Sequence, residues 1–225
     1  MNIIFERIKN VYINLFFLSP KLFSTIIFIP FLYIFGWVLA SPILLFSANK
    51  DSLPLIGTVF TFLIFVFSLP KWFELRWGLK KTWKLVGIDI INSKRNFIFY
   101  FLRGFLLSII LISLILFLII TTQSGYWIGR ISPKIIINAI FLIVGIGFAE
   151  ELIFRGWLLE EFKNQFGLKK AIILQAFIFS IVHIGFDLPF WEMISLLTGL
   201  FLLGILLSLI RFKDKNSLWG CIGLH

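Results

Sequence analysis

Ile135–Trp157 reads IIINAIFLIVGIGFAEELIFRGW, and a conflict inside this stretch decides how the chain is read. The segment is long and apolar enough to cross about 30 Å of hydrocarbon, yet it carries Glu150, Glu151 and Arg155 near its end. On the insertion scale one charged residue at a helix centre costs roughly 2.5 to 3.5 kcal/mol. Three charges within two turns therefore need partners, a function, or both.

Composition identifies the solvent around those charges. The chain has 225 residues, 60% of them hydrophobic and 14% charged, with a mean hydropathy of +1.01. Soluble domains are about 45 to 50% apolar and about 25% charged, so the composition predicts an integral, multi-pass membrane protein. Other apolar runs extend over Leu22–Ala48, Leu53–Leu69, Phe97–Ile120, Leu168–Phe186 and Phe190–Ile210. The fold class expected is all-α, a polytopic transmembrane bundle of about six complete spans plus the start of a seventh at Ser217. Met1–Leu18 mixes Glu6, Arg7 and Lys9 with Ile3, Ile4, Phe5, Ile8 and Val11, which suits an amphipathic helix on the membrane surface. The polar connection Pro70–Asn96 has room for an interfacial helix through Trp72, Phe73, Leu75 and Trp77. Residues 1–225 read as one membrane domain. Residues 1–134 hold the amino-terminal spans and a basic loop, and residues 135–225 hold the polar core.

The net charge of +10 does not point to nucleic acid, because long apolar runs interrupt the basic residues before they can form a stripe. Their distribution reads as topology. With a cytoplasmic amino terminus, sixteen Lys and Arg fall on the inner side, and only Lys50, Arg130 and Lys134 on the outer; Arg103 and Arg155 remain inside helices. Cys221 is the only cysteine, so no internal disulfide forms, and it reads as a packing residue.

Within the core, Glu151 precedes Arg155 by four positions, the favourable order for a helical ion pair, so the two can neutralise each other. Glu150 is turned by about 100° from Glu151 and is left over. A carboxylate held in apolar surroundings suits service as a general base toward a bound water. The chain has two histidines, His183 and His225. If the helices on either side of Gly167 form an antiparallel hairpin, Glu150 lies about 17 residues before the turn and His183 about 16 after it, at nearly one height. A helix starting near Ser217 carries His225 roughly 12 Å inward, to a similar depth. Glu150, His183 and His225 can together support hydrolysis. Glu150 activates a water, and the imidazoles either bind a divalent metal such as Zn2+ or stabilise an oxyanion. Metal-dependent and metal-free routes both fit this set.

Other chemistries find less support. No two histidines stand four apart on one helix, and Asp51, Asp89, Asp187 and Asp214 all fall in loops or at span edges. Ser180 and His183 share a helical face, but nothing marks Ser180 as a nucleophile. Gly145 and Gly147 read as sites of close helix approach.

Three features recur in order: Glu150-Glu151 followed by Arg155, Phe179 followed by His183, and the terminal His225. In these the chain from about Ile135 onward resembles the CPBP family of intramembrane proteases, which includes CAAX prenyl proteases and bacteriocin-immunity (Abi) proteins. The resemblance implies an endopeptidase acting on a peptide or membrane-protein substrate. It assigns water activation to Glu150, metal binding or oxyanion stabilisation to His183 and His225, and supporting or substrate-positioning roles to Glu151 and Arg155. That family usually has Asn or a similar residue four positions beyond the last histidine. The chain ends at His225, so the core is expected to be truncated there or to lack that element. Two rival readings are a catalytically inactive member serving as membrane scaffold or regulator, and a proton-coupled transporter. The second lacks the repeated halves and paired broken helices of alternating access.

Overall fold

A computed structural model describes residues 21–42, 53–88, 94–126 and 142–225, with isolated positions between 129 and 139. The expected surface helix over Met1–Leu18, the loop charges Lys50, Asp51, Asp89, Arg130 and Lys134, and the first part of the Ile135–Trp157 run lie outside the described residues. The chain divides into two compact units, Met1–Thr82 and Trp83–His225. All regular structure among the described residues is helical. Four helices there are long and apolar enough to cross a membrane: Lys21–Ala40, Ile56–Trp77, Asn96–Thr121 and Phe190–Lys213.

In the first unit α1 (Lys21–Ala40) and α2 (Leu53–Trp77) form an antiparallel pair. Phe28 of α1 stacks on Trp72 of α2 with ring centroids 4.0 Å apart and meets Phe65 at 6.3 Å. Towards the other end Gly36 lets the backbones approach, since a Cβ there would stand 2.7 Å from the Thr61 nitrogen and 2.8 Å from the Gly57 carbonyl. The polar connection expected from Pro70 onward is a correction. The second span does not stop at Leu69; α2 runs through Pro70 to Trp77, and Trp72 and Phe73 are buried rather than interfacial. The cause is tertiary. Arg76 donates to the Lys21 carbonyl and, at 2.9 Å, to the Thr25 hydroxyl, so the last turns of α2 are bonded to the start of α1 despite the missing proline N–H.

The second unit begins within the short α3 (Thr82–Leu85). Helix α4 (Lys94–Thr121) is apolar almost throughout, and only 6% of its span is buried, so it presents lipid-facing side chains on most of its surface. Next comes one uninterrupted helical stretch that changes pitch: a π-helix over Leu142–Gly147, α5 (Phe148–Glu150), a second π-helix over Glu151–Leu158, and α6 (Leu159–Phe166). Gly167 reverses the chain at φ 80°, a left-handed backbone that favours glycine, and α7 (Leu168–Ile181) returns along α6. The fifth apolar run was expected to continue to Phe186. Its helix ends at Ile181, about 21 Å long, and His183 lies in the turn that follows.

Helix α8 (Phe190–Lys213) packs on α7, where Gly204 lies against Ala176 and Ser208 donates to the Gln175 side chain at 2.7 Å. The terminal α9 (Trp219–Leu224) crosses α4 at glycines on both sides. A Cβ on Gly104 would stand 2.9 Å from the Leu224 nitrogen, and one on Gly223 would stand 3.0 Å from the Phe101 carbonyl carbon. Leu207, Ile210, Cys221 and Leu224 fill the space beside this crossing. The Cys221 thiol is buried and donates to the Leu207 carbonyl at 3.1 Å, a packing position. Gly145 departs from expectation, since among the described residues nothing stands within 4 Å of a Cβ there, whereas Gly147 lies 3.6 Å from the His225 ring by the same measure.

Backbone, not a flexible side chain, meets any Cβ added at Gly223. Gly223→Val is therefore expected to lower stability by roughly 1–3 kcal/mol, as overpacked sites do, measured by thermal unfolding in detergent. An unchanged melting profile would contradict the crossing described here.

Candidate active site

Glu150 closes α5 and Glu151 opens the second π-helix, so the two acids sit at a change of helical pitch. Such π segments inside α-helices recur at functional sites. Where the π spacing ends, the Leu159 N–H bonds to the Phe154 carbonyl, and the next carbonyl, that of Arg155, accepts from the buried Arg211 guanidinium of α8. Arg211 also donates to the Leu85 carbonyl at 2.7 Å and to the Glu160 carboxylate at 2.9 Å. One buried cation thus ties together α8, the end of α3 and the end of the π-helix.

The inner layer of the site is sealed. Glu151 and Arg155 are both fully buried and pair at 3.0 Å through Oε1 and Nη1. The Arg155 guanidinium also lies 3.9 Å from the centroid of the Phe179 ring, a cation–π contact made in a dry setting. Phe179 meets Phe154 edge-on at 5.1 Å and the His183 ring at 4.8 Å, so one aromatic side chain touches three members of the cluster. The same Glu151 Oε1 accepts a hydrogen bond from His225 Nδ1 at 2.8 Å.

The outer layer is half-buried. Glu150 stands between the two imidazoles, with Oε1 3.6 Å from His183 Nε2 and Oε2 3.7 Å from His225 Nε2. Local structure sets both rings. At the end of α7 the His183 N–H turns to the Ser180 carbonyl at 3.1 Å, which leaves the Phe179 carbonyl free, and His183 Nδ1 donates to it at 2.7 Å. With Nδ1–H committed on both histidines, the nitrogen that each neutral ring turns towards Glu150 is an unprotonated acceptor. Separations of 3.6 and 3.7 Å exceed a direct N–H···O bond.

All five side chains singled out in the sequence, Glu150, Glu151, Arg155, His183 and His225, are thus brought into one cluster. The serine alternative is not: Ser180 donates to the Leu197 carbonyl at 2.6 Å and bridges α7 to α8. Donor chemistry alone would allow a divalent metal, since both imidazoles have their outer N–H groups tied as metal-ligating histidines do. Yet zinc ligands at about 2.0–2.1 Å in a tetrahedron stand only about 3.3 Å apart. Among the described residues no group of three His, Cys, Asp or Glu side chains closes to hold a metal ion.

Arg211, Glu160 and the pair of half-buried Arg103 with buried Asp214, 2.5 Å apart, leave no mark in the sequence reading. An arginine at the end of an apolar helix ordinarily reads as a charge reaching the membrane surface. Only the acids Glu160 and Glu161, just past the motif, hinted that a cation had to come from elsewhere.

Two family models match the chain, one of them over the region that holds this cluster. Residues 132–225 match the family described as type II CAAX prenyl endopeptidase, Rce1-like, and residues 7–81 match a domain of unknown function, DUF8676. No curated protein and no solved structure matches the chain.

Removing one member of the sealed pair leaves the other charge buried alone. Arg155→Leu is expected to cost about 3–5 kcal/mol, and the double variant Glu151→Leu/Arg155→Leu less than the sum of the two single changes. A double-mutant cycle on unfolding free energies checks this; additive costs would mean that the pair is not energetically coupled.

Proposed function

We infer that this chain, a member of the CAAX protease family through residues 132–225, is an intramembrane endopeptidase in which Glu150 activates the attacking water. The observation that carries the reading is the orientation of the two imidazoles, each tied at Nδ1 and turned by Nε2 towards Glu150 at 3.6 and 3.7 Å. A water held between Glu150 and one imidazole donates one hydrogen to each. Its oxygen lone pair is then left free to attack a carbonyl carbon.

Glu150 removes a proton as the water oxygen bonds to the scissile carbonyl carbon, and the C=O pair becomes an oxyanion. Collapse of that intermediate breaks the C–N bond, and the protonated Glu150 returns its proton to the departing amine. His183 orients the water as acceptor. In its present tautomer neither imidazole can donate to the oxyanion; Nε2 must first gain a proton, and Nδ1 keeps its anchor when it does. Glu151 is the positioning group for His225, and Arg155 compensates its charge. A divalent metal on Glu150, His183 and His225 would supply Lewis-acid activation instead. No step is assigned to metal, because among the described residues no three His, Cys, Asp or Glu side chains close on one point.

The substrate proposed is a peptide or membrane protein whose scissile bond reaches the depth of Glu150; the family's name points to prenylated carboxyl-terminal peptides. The proposed topology keeps six spans with a cytoplasmic amino terminus, on the strength of the Lys and Arg distribution.

Glu150→Gln preserves shape and removes the base. Cleavage of a membrane-embedded peptide by this variant is expected to fall roughly 100- to 10,000-fold in kcat. Wild-type turnover by Glu150→Gln and by His183→Ala, both normally inserted, would instead favour the scaffold reading. Exhaustive chelation is expected to leave activity intact; a loss that added Zn2+ reverses would assign the water's activation to metal.

A further inference from the structure

Away from the candidate active site, a cleft of about 240 Å3 opens where the start of α4 faces the turn between α8 and α9. This lies below the roughly 300–1,000 Å3 of sites that enclose a whole small molecule, and suits a headgroup. Its polar wall carries Lys84, Lys215, Asn216 and Ser217, and its apolar wall carries Phe97, Tyr100 and Trp219. The turn is a defined structure. Lys215 and Asn216 both hold positive φ, 55° and 66°, and are fixed by the Asn216 N–H to the Arg211 carbonyl at 2.9 Å and the Leu218 N–H to the Gly87 carbonyl at 3.0 Å.

The charges at the cleft do not cancel. Asp214, which also lines it, is fully buried and has its Oδ1 paired with Arg103 at 2.5 Å. Lys84 and Lys215 are exposed and have no acidic partner among the described residues, so the described lining of the opening is net positive. The apolar wall continues onto a lipid-facing surface. Beyond the cleft α4 exposes Ile98, Phe99, Leu102 and Phe105, on a helix that buries very little of itself. An occupant with an anionic head and an apolar tail meets both walls at once. This end of the chain is also the side where the basic residues collect, and hence the side expected to face anionic lipid.

We propose that this cleft seats the phosphate of an anionic phospholipid, with Lys84 and Lys215 on the phosphate, Asn216 and Ser217 as neutral hydrogen-bonding groups, and the acyl chains along α4. The site bears on the catalytic cluster through one short helix. Trp219, in the cleft wall and edge-on to Phe97 at 4.3 Å, begins α9, and His225 ends the same segment. A seated headgroup braces the helix that carries His225.

The test uses the full chain in phosphatidylcholine bilayers doped with phosphatidylglycerol, with retained lipid counted by native mass spectrometry. The wild type is expected to retain phosphatidylglycerol in preference to phosphatidylcholine. Lys84→Gln/Lys215→Gln is expected to lose about thirty-fold in that affinity, and Lys84→Arg/Lys215→Arg to keep it. Both lysines are exposed, so these variants are expected to melt with the wild type. Equal retention by wild type and the glutamine variant, or no preference for phosphatidylglycerol, overturns the proposal. Displacement of phosphatidylglycerol by inorganic phosphate, or by a peptide with a free carboxyl terminus, also overturns it and assigns the cleft to a soluble anion or to a peptide.

Discussion

One oxygen atom, Glu151 Oε1, accepts from Arg155 at 3.0 Å and from His225 at 2.8 Å, and the rest of the candidate site is arranged around that sharing. In a dry interior a lone carboxylate would be costly, and Arg155 on the same helix compensates the charge where it arises. A second hydrogen bond to the same oxygen reaches out of its own helix to the last residue of the chain. Elements more than seventy residues apart in sequence are thereby joined through a single acceptor. The tautomer of His225 follows, because a ring that donates through Nδ1 turns Nε2 outward, to Glu150.

That junction needs a frame that does not drift, and the frame is built from unlike devices. Small residues bring α9 against α4 and so fix how far His225 extends. Arg211 takes up the Arg155 carbonyl and pairs with Glu160, which holds the end of the π-helix from the side of α8. Gly167 closes the α6–α7 hairpin and sets His183 at the height of Glu150. Each works through backbone geometry or a buried charge. Apolar packing alone would be a poor substitute, because lipid tails compete equally well for apolar surface.

Much of this was legible in the sequence wherever the interaction is local or follows from helix arithmetic. The four-residue spacing of Glu151 and Arg155 gives their ion pair, and the spacing of Glu150 and His183 about Gly167 gives their common depth. Contacts with no periodic signature were not legible. Arg211 pairs with Glu160 across 51 positions and Arg103 with Asp214 across 111, and hydropathy records such arginines only as breaks in apolar runs. The π-helical pitch also leaves no mark, since its residues are those of any apolar helix. The true end of α2 was hidden for a related reason. Pro70 signals a stop locally, and the bonds from Arg76 to α1 that override it are tertiary.

The two adjacent glutamates show why the motif carries a pair of acids where lipid penalises one. Successive positions on a helix point in different directions, so neighbours in sequence can occupy different media. Glu151 is fully buried and its hydrogen bonds are spent on Arg155 and His225, whereas the Glu150 side chain keeps 22% of its surface open, with the half-buried imidazoles beside it. A carboxylate committed on the inside cannot exchange protons with a water, and one left wholly in solvent gains nothing from its neighbours. One helix thus places two carboxylates in two settings, the first committed to internal hydrogen bonds and the second partly open to solvent.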